Sequence, residues 1–315
     1  MKGRAAAPAA GTILCAFATG YGSAFGIDKY GTATVELDNS GTVTGAVKGK
    51  SNIDTTLIER CAERCIERFG DGEGATVTTD SDIPMAAGLK SSSVVANASV
   101  LATLDALDVA ILDATTQNGV RSDGGQRRIT GQNDATSTND ADHSVTMLEA
   151  TRIGVNAARD ANVTTTGAFD DATASMFGGV TVTDNSEDEL IQRDTIDWDV
   201  LVWTPPKQAF SSEVDHDRCK QLAPVADEIL DMVVEGRYKE AMMLNGFAFC
   251  TALRFTAEPI LEALPATKGV SLSGSGPSFV AVGERESLES VKEKWELREG
   301  SVWFTTTVED GARIL

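Results

Sequence analysis

The chain has 315 residues, 42% of them hydrophobic, so it can bury one large core or two smaller ones. Its 47 acidic and 27 basic residues give a net charge of −20, which argues against nucleic acid as a partner, because phosphate binding needs clustered Lys and Arg. No apolar run approaches the ~20 residues of a membrane span, so we expect a cytoplasmic protein. The acidic residues are spread along the chain, which favours a protein that works in high salt over an ordinary acidic one.

The N-terminal segment superficially resembles a signal peptide, but Pro8, Gly11 and Thr12 interrupt its apolar run, and we interpret it as a strand and loop. Five scattered cysteines indicate reduced thiols. Cys61 and Cys65 are one helical turn apart, yet no other Cys or His is nearby to complete a metal site. Buried structural thiols are therefore the preferred interpretation.

Local patterns predict the first elements of the chain. Residues 30–48 alternate polar and apolar around central turn residues, which indicates a β-hairpin. Residues 54–69 have the periodicity of an amphipathic helix, with Asp54 as N-cap and Gly70 at the end. A strand is predicted over residues 74–80.

The next segment combines a loop with a buried helix. A glycine-containing loop leads into a helix that starts at Ser92 and is apolar on nearly every face, as a fully buried helix is. Residues 113–143 lack large apolar side chains and predict a polar insertion loop. A helix is expected at 146–160, and residues 164–185 indicate a loop, helical turns and a strand.

The sequence changes character near residue 192, where we place a boundary between an N-terminal domain (1–192) and a C-terminal domain (193–315). The second domain is predicted to contain a buried strand at 199–206, helices between 215 and 263, strands at 268–273 and 278–282 around a Gly-rich SGSGPS loop, a charged helix at 286–298 and a final strand at 301–308.

The strongest local motif is Pro84-Met85-Ala86-Ala87-Gly88-Leu89-Lys90-Ser91-Ser92-Ser93. The N-terminus of the following helix carries unpaired N–H groups and a positive dipole end, so it can bind phosphate. Gly88 lets the backbone approach an anion, Lys90 adds a positive charge, and the serine hydroxyls can bond phosphate oxygens or Mg²⁺. On these residues alone, a Ser-capped helix after an ordinary turn explains the motif equally well. The spacing of a Walker A loop is absent.

Two adjacent carboxylates, Asp170 and Asp171, follow Gly167 in a loop beside Phe169. One of them could act as a general base for a hydroxyl nucleophile. Alternatively, one or both cap the helix that follows.

These motifs carry a family resemblance. The PxxxGLxSSS run resembles the second motif of the GHMP kinases, a superfamily that includes galactokinase, homoserine kinase and mevalonate kinase. Its GLKSSS form, with Lys90 where most members have Gly, resembles the archaeal shikimate kinases. Residues 7–28 and TGAFDDA (166–172) are similar to the same group. SLSGSGPSFVAVG (271–283) resembles the third GHMP motif, a loop that closes on nucleotide phosphates.

The resemblance implies an α+β fold in two lobes, with a βαβ-containing N-terminal lobe and a ferredoxin-like C-terminal lobe. It also implies transfer of the γ-phosphoryl group of ATP, with Mg²⁺, to the 3-hydroxyl of shikimate, in chorismate and aromatic amino acid biosynthesis. ATP is then expected on the motif from Pro84 to Ser93 and on Gly274, Ser275 and Gly276, with Ser92 on Mg²⁺.

Catalytic and substrate-binding roles follow from the same resemblance. Asp170 matches the family's base, which leaves Asp171 as a capping or supporting residue. Mevalonate-type kinases carry a Lys after an N-terminal Ala-Pro, where this chain has Ala9 and Ala10, and Lys90 is a candidate to replace its charge. The candidates for the substrate hydroxyls are Thr19, Ser23 and Asp28, and those for its carboxylate are Arg254, Arg4 and Lys207.

Two alternatives remain open. The chain could be another GHMP kinase, acting on homoserine or a mevalonate-pathway alcohol. It could also be a non-catalytic protein of the same fold that senses a metabolite and ATP. A sensor is expected to lose the base or the phosphate loop, and Gly88, Ser91, Ser92 and Asp170 are all present, which favours an enzyme with small-molecule partners.

Overall fold

The computed structural model describes residues 1–51, 53–84, 87–112, 143–164, 167–207, 209 and 214–315. The predicted insertion at 113–143 lies outside the described residues except for its last member, and so do Met85 and Ala86. Within the described part, the strands form a seven-stranded sheet, a four-stranded sheet and a two-stranded pair.

The seven-stranded sheet is built around one long strand. Its strands are β1 (Lys2–Leu14), β2 (Tyr21–Asp38), β3 (Val43–Val47), β4 (Gly74–Ser81), β7 (Val180–Asp184), β8 (Glu189–Asp194) and β13 (Arg313–Ile314), while β5 (Ala110–Leu112) and β6 (Ser144–Thr146) form the separate pair. Along one edge β2 pairs with β1. Along its other edge it pairs first with β7 and then with β4.

The predicted hairpin at 30–48 is wrong. The chain does reverse between β2 and β3, but β4 inserts between them, antiparallel to β2 and parallel to β3. Helix α1 (Thr56–Phe69) connects β3 to β4, so these elements form the βαβ unit that the family resemblance implied. A turn signal reports only local chain reversal, and here a strand from later in the chain takes the pairing position.

Helices α1, α2 (Ser91–Ala106), α3 (Met147–Asp160) and α4 (Phe169–Phe177) cover this sheet. Helix α2 lies against β1 and β2 and is flanked by the other three helices, which confirms the predicted buried helix. The predicted cap is off by one residue, since Thr55 is the N-cap of α1 and Asp54 accepts a hydrogen bond from the backbone N–H of Thr56 (2.9 Å). Cys61 and Cys65 are buried between α1 and α2, as expected for structural thiols.

The second sheet forms the C-terminal lobe. Its strands are β9 (Asp199–Thr204), β10 (Gly269–Leu272), β11 (Phe279–Gly283) and β12 (Ser301–Thr306), in the antiparallel order β10-β11-β9-β12. Its helices are α5 (His216–Lys220), α6 (Ala223–Val234), α7 (Tyr238–Leu253), α8 (Glu258–Ala263) and α9 (Arg285–Trp295). The core on one face contains Trp203, Phe279 and Trp295.

The chain passes from the first sheet to the second between Asp194 and Asp199. This is close to the domain boundary predicted at residue 192, which stays a prediction. After β12 the described chain returns to the first sheet, where Thr307 bridges to Ile27 of β2 and β13 pairs with β1. Both lobes mix helices with mainly antiparallel strands, so the fold is α+β in two lobes. In the described part of the chain, no helix is long and apolar enough to cross a bilayer.

Candidate active site

The carboxyl end of β1, the start of β2 and the N-termini of α2 and α4 meet the loop between β10 and β11. Gly22 of β2 packs on Asp170 at the start of α4. Lys90, the N-cap of α2, reaches Asp171 and lies beside Gly274 of the β10–β11 loop. Residues from five separate segments therefore converge on one charged cluster at the junction of the two lobes.

Asp170 is buried, with 4% of its surface exposed, and its carboxylate is held in a fixed orientation. Nδ2 of Asn185, in the turn after β7, donates to Oδ1 of Asp170 (2.7 Å). The other oxygen, Oδ2, lies against Gly22, where a Cβ would be only 2.6 Å away. Glycine at this position lets the carboxylate lie directly on the backbone of β2.

Asp171, at the start of α4, and Lys90, at the start of α2, form a buried ion pair that joins the two helices. Lys90 Nζ lies 2.7 Å from Oδ1 of Asp171, and the side chains are 5% and 18% exposed. Burial and the charge of Asp170 raise the pKa of Asp171 to about 7, while Lys90 opposes that shift. Burial of Lys90 alone favours the neutral amine, but the carboxylates of Asp171 and Asp170 outweigh it and raise the pKa of Lys90. The ammonium is therefore retained inside the site.

The glycine-rich loops of the two lobes touch each other. Ser273 Oγ donates to the carbonyl oxygen of Gly88 (2.8 Å), and the N–H of Gly274 donates to Oγ1 of Thr12 (2.8 Å). A side chain at Gly88 (φ +77°) would collide with the carbonyl oxygen of Ser273. The contact places Lys90 and the first turn of α2 at the lobe interface, where an anion bound to that turn would meet both loops.

The N-terminus of α2 opens into a narrow cleft. Lys90 gives the first turn no side-chain acceptor, Ser92 is exposed, and Ser92 and Ser93 border the cleft together with Gly154 and Gly167. Asn97 lines the same cleft, and its Oδ1 is buried without a hydrogen-bond partner in the described part of the chain. The cleft thus offers unsatisfied donors at the helix end and an unsatisfied acceptor one turn further along.

The predicted substrate contacts lie at different distances from this cluster. Thr19 lies in the adjoining loop, where its Oγ1 accepts from the N–H of Tyr21 (3.3 Å). Ser23 is buried next to Gly22, but neighbouring residues of a strand face opposite sides, so it points away from Asp170. Asp28 is exposed and lies about 20 Å along β2 from Gly22, at roughly 3.3 Å per residue.

The three candidates for a carboxylate contact are all exposed. Arg254 ends α7 in a left-handed conformation, next to Phe255, which packs against Gly276 of the β10–β11 loop. Lys207 follows Thr204, whose hydroxyl bonds Ser278 at the end of that loop (2.9 Å). Arg4 lies at the far end of β1, where its N–H bonds Asp105. Of the three, only Arg254 and Lys207 lie on segments next to the β10–β11 loop.

Comparison with known proteins gives the family. The family model described as the GHMP kinases N terminal domain matches residues 56–126. A shikimate kinase of Halobacterium salinarum is 47% identical over 314 residues, which are 99% of this chain and 99% of the relative. The chain belongs to the archaeal-type shikimate kinase family of GHMP kinases. A second family member, from Methanothrix thermoacetophila, is 45% identical over 96% of this chain and 92% of its own length.

Solved structures show that the family's fold is the GHMP kinase fold. Homoserine kinase from Cytophaga hutchinsonii superposes with a TM-score of 0.70 at 14% identity, covering 100% of this chain and 97% of that one. Mevalonate kinase from Methanococcus jannaschii gives a TM-score of 0.68 at 11% identity, with 98% of each chain covered. At these identities the likeness concerns the fold alone.

Sequence reasoning about this family member missed two parts of the site. Asn185 and Thr183 lie close together at the end of a strand and carry no motif, so only the fold reveals that Asn185 bonds Asp170 and that Thr183 bonds Asn185. The Lys90–Asp171 ion pair was missed for the same reason. The sequence did carry one indication of the Asn185 contact. Ala168, the N-cap of α4, has no side-chain acceptor for the first N–H groups of the helix, so another residue must supply one.

Proposed function

We propose that this protein is a shikimate kinase, which transfers the γ-phosphoryl group of ATP to the 3-hydroxyl of shikimate and releases ADP and shikimate 3-phosphate. The observation that carries this proposal is full-length identity of 47% to a relative named shikimate kinase, combined with the cluster of Asp170, Lys90 and Gly274 at the lobe junction. The reaction belongs to chorismate and aromatic amino acid biosynthesis, and we expect it to take place in the cytoplasm.

Asp170 acts as the general base. Its Oδ1 is engaged by Asn185, so Oδ2 is the oxygen that accepts the proton of the attacking hydroxyl. Phosphoryl transfer asks the protein mainly for positioning and charge stabilisation, because little covalent chemistry falls to its side chains. A buried carboxylate with one oxygen fixed supplies that positioning.

Lys90 supplies positive charge where the phosphoryl group moves. Its Nζ lies between Asp171 and the backbone of Gly274, at the contact of the two glycine-rich loops. Asp171 keeps the ammonium charged and in place, which extends its expected supporting role. The first turn of α2, residues 91–93, together with Gly274, Ser275 and Gly276, binds the ATP phosphates.

Mg²⁺ fits the cleft beside α2. Within the described residues no group of three or more His, Cys, Asp or Glu side chains could hold a metal, and Mg²⁺ bound to a nucleotide needs only one or two protein ligands. Ser92, which lines that cleft, would hold the ion, and the unpaired Oδ1 of Asn97 leaves one further polar acceptor nearby. When bound, Mg²⁺ neutralises the phosphate charge.

The substrate lies between Asp170 and the loop after β1. Thr19, in the loop that precedes Gly22, is the preferred candidate for the substrate hydroxyls. Ser23 is weaker because it points away from Asp170, and Asp28 is weaker because it lies far along β2. Arg254 is proposed for the carboxylate, with Lys207 as the alternative.

An alcohol panel tests the proposal. The purified protein in high salt receives Mg-ATP with shikimate, homoserine or mevalonate, and ADP release is followed. We expect shikimate to have the highest kcat/KM, with ³¹P NMR showing the phosphate on the 3-hydroxyl. Faster turnover of homoserine or mevalonate would contradict the assignment, and binding of ATP and shikimate without any turnover would favour a sensor.

A further inference from the structure

The turn after β7 presents a buried amide to the start of α4. Asn185 is 3% exposed and makes two bonds to the same residue of that helix. Its Oδ1 accepts from the backbone N–H of Asp170 (3.1 Å), and its Nδ2 donates to Oδ1 of the Asp170 carboxylate (2.7 Å). No other described side chain is bonded to both the backbone and the carboxylate of this aspartate.

The orientation of the Asn185 amide is fixed by its surroundings. A backbone N–H can only donate, so the atom that faces the N–H of Asp170 must be the amide oxygen. The hydroxyl of Thr183 also donates to that oxygen (2.8 Å). The NH₂ group is therefore forced toward the carboxylate, where it can only donate.

Asn185 also takes the place of a helix cap. Helix α4 begins at Phe169 with Ala168 as N-cap, and alanine has no side-chain acceptor for the first amides. Oδ1 of Asn185 accepts from the second residue of the helix, which is the bond that a Ser or Asp at the N-cap normally makes. One side chain thus anchors the helix end and the carboxylate that the helix carries.

From this geometry we propose that Asn185 is the positioning residue of the catalytic base. It holds Oδ1 of Asp170 so that Oδ2 stays against Gly22 and faces the substrate hydroxyl. The inference rests on the proposed function only in taking Asp170 as the base. It identifies no substrate and would hold for any alcohol that this site phosphorylates.

Asn185→Asp separates the two roles of the residue. The new carboxylate keeps an oxygen that accepts from the N–H of Asp170 and from Thr183, so the helix remains capped. It replaces the NH₂ donor by an oxygen that repels the carboxylate of Asp170. Two carboxylates in contact repel each other and titrate as a pair, so we expect the variant to gain an ionisation and Asp170 to tilt away from Gly22.

Three ionisable groups of the described residues lie near the pair. Asp171 lies on the same helix, Lys90 at the start of α2 and the Cys15 thiol at the end of β1. The Cys15 thiol stays neutral because burial raises its pKa. Lys90 and Asp171 are present in both proteins, so a new ionisation in the variant reports on the introduced carboxylate.

The experiment compares four proteins in steady-state kinetics with Mg-ATP and shikimate between pH 5.5 and 9. These are the wild type, Asp170→Asn, Asn185→Asp and the control Thr183→Val, which removes the hydroxyl that donates to Asn185 and also lies 3.5 Å from the carbonyl oxygen of Gly22. Asp170→Asn is expected to lower kcat by roughly 10²- to 10⁴-fold. Asn185→Asp is expected to lower kcat by roughly 10- to 100-fold with KM for ATP nearly unchanged, and to add an ionisation to the pH–rate profile. Thr183→Val should remain within about threefold of the wild type, as expected for a bond that does not touch the base.

Each result decides something different. Wild-type kcat and an unaltered pH profile in Asn185→Asp, beside an inactive Asp170→Asn, would overturn the positioning role and leave the proposed function intact. A loss of kcat with an unaltered profile, accompanied by a fall in melting temperature, would show a structural role only. Turnover of another alcohol in place of shikimate would overturn the proposed substrate while the four proteins still test Asn185. Full activity of Asp170→Asn, or no turnover of any alcohol, would overturn both.

Discussion

At the scale of single residues, adjacent aspartates have different environments. Asp170 is bonded to Asn185 and lies on the backbone of β2, whereas Asp171 faces the ammonium of Lys90. Successive residues of a helix diverge by about 100°, so each carboxylate has a partner of its own, although the two stay close enough for Asp170 to raise the pKa of Asp171. The pair therefore combines a base with the counter-ion of a cation.

The ion pair predicts a pH-dependent stability. Lys90→Met removes the charge that opposes the upward shift in the pKa of Asp171, so this pKa rises above about 7. When the pKa of a carboxyl group is higher in the folded than in the unfolded protein, the protein loses stability as the pH rises from the unfolded pKa to the folded pKa. The free energy of unfolding of the wild type should therefore stop falling near pH 7. That of the variant should continue to fall above pH 7, by up to about 1.4 kcal/mol per pH unit.

Urea unfolding at pH 6, 7, 8 and 8.5 measures this difference. The double variant Lys90→Met/Asp171→Asn is the control, because it lacks the titrating group and should run parallel to the wild type above pH 7. Parallel curves for the single variant and the wild type would show that Lys90 does not set the ionisation of Asp171.

The sequence predicted part of the site at this scale. Gly88, Lys90 and Asp170 belong to local motifs, and local motifs can be recognised without the fold. Asn185 and the partner of Lys90 could not be recognised, because their roles depend on how α4 packs against β7 and α2. Met85 and Ala86 lie outside the described residues, so their predicted contact with ATP stays a prediction.

At the scale of elements, periodicity located the helices well and strand pairing poorly. The predicted helices at 54–69, 146–160 and 286–298 correspond to α1, α3 and α9 within a few residues. Side-chain periodicity depends only on neighbours along one helix, whereas a strand's partner is chosen by the whole sheet. The short strands β5, β6 and β13 carried too few residues to form a recognisable pattern.

Strands β5 and β6 constrain any deletion of the segment between them. They pair in parallel, with Ala110 opposite Ser144 and Leu112 opposite Thr146. The chain must therefore return along the full pair before it enters β6, and parallel crossovers need about a dozen residues. A very short linker would separate the two strands.

We predict that replacing residues 113–142 by twelve Gly and Ser residues leaves kcat and the melting temperature nearly unchanged, because the segment lacks the apolar residues of a core. A three-residue linker is the matched control and should lower the melting temperature by pulling β5 from β6. Loss of most activity with the long linker, at an unchanged melting temperature, would instead show that the segment contributes to the site, as long polar loops can.

At the scale of the whole molecule, the net charge of −20 opposes the compact state. Exposed ion pairs such as Lys2–Glu36, with side chains 62% and 61% exposed, contribute little to stability because water screens their attraction. Salt weakens these pairs but also screens the much larger excess of like charge. The similarity to a Halobacterium salinarum protein fits a chain adapted to high salt.

We therefore predict that the melting temperature rises with KCl, most steeply below about 1 M, where the Debye length shortens to about 3 Å. Calorimetry from 0.1 to 3 M KCl measures the effect, and equal concentrations of sucrose serve as the control for effects unrelated to charge. A melting temperature independent of KCl below 1 M would contradict the view that charge repulsion limits stability.

The return of β13 to the first sheet has a consequence for synthesis. Ala5 pairs with Ile314, so β1 is completed only by a strand that is synthesised after the strands of the second sheet. Until then the N–H and C=O groups at that edge of β1 are open to other chains. An N-terminal fragment that stops before Asp199 keeps this edge permanently open, and it should aggregate or recruit chaperones where the full chain does not.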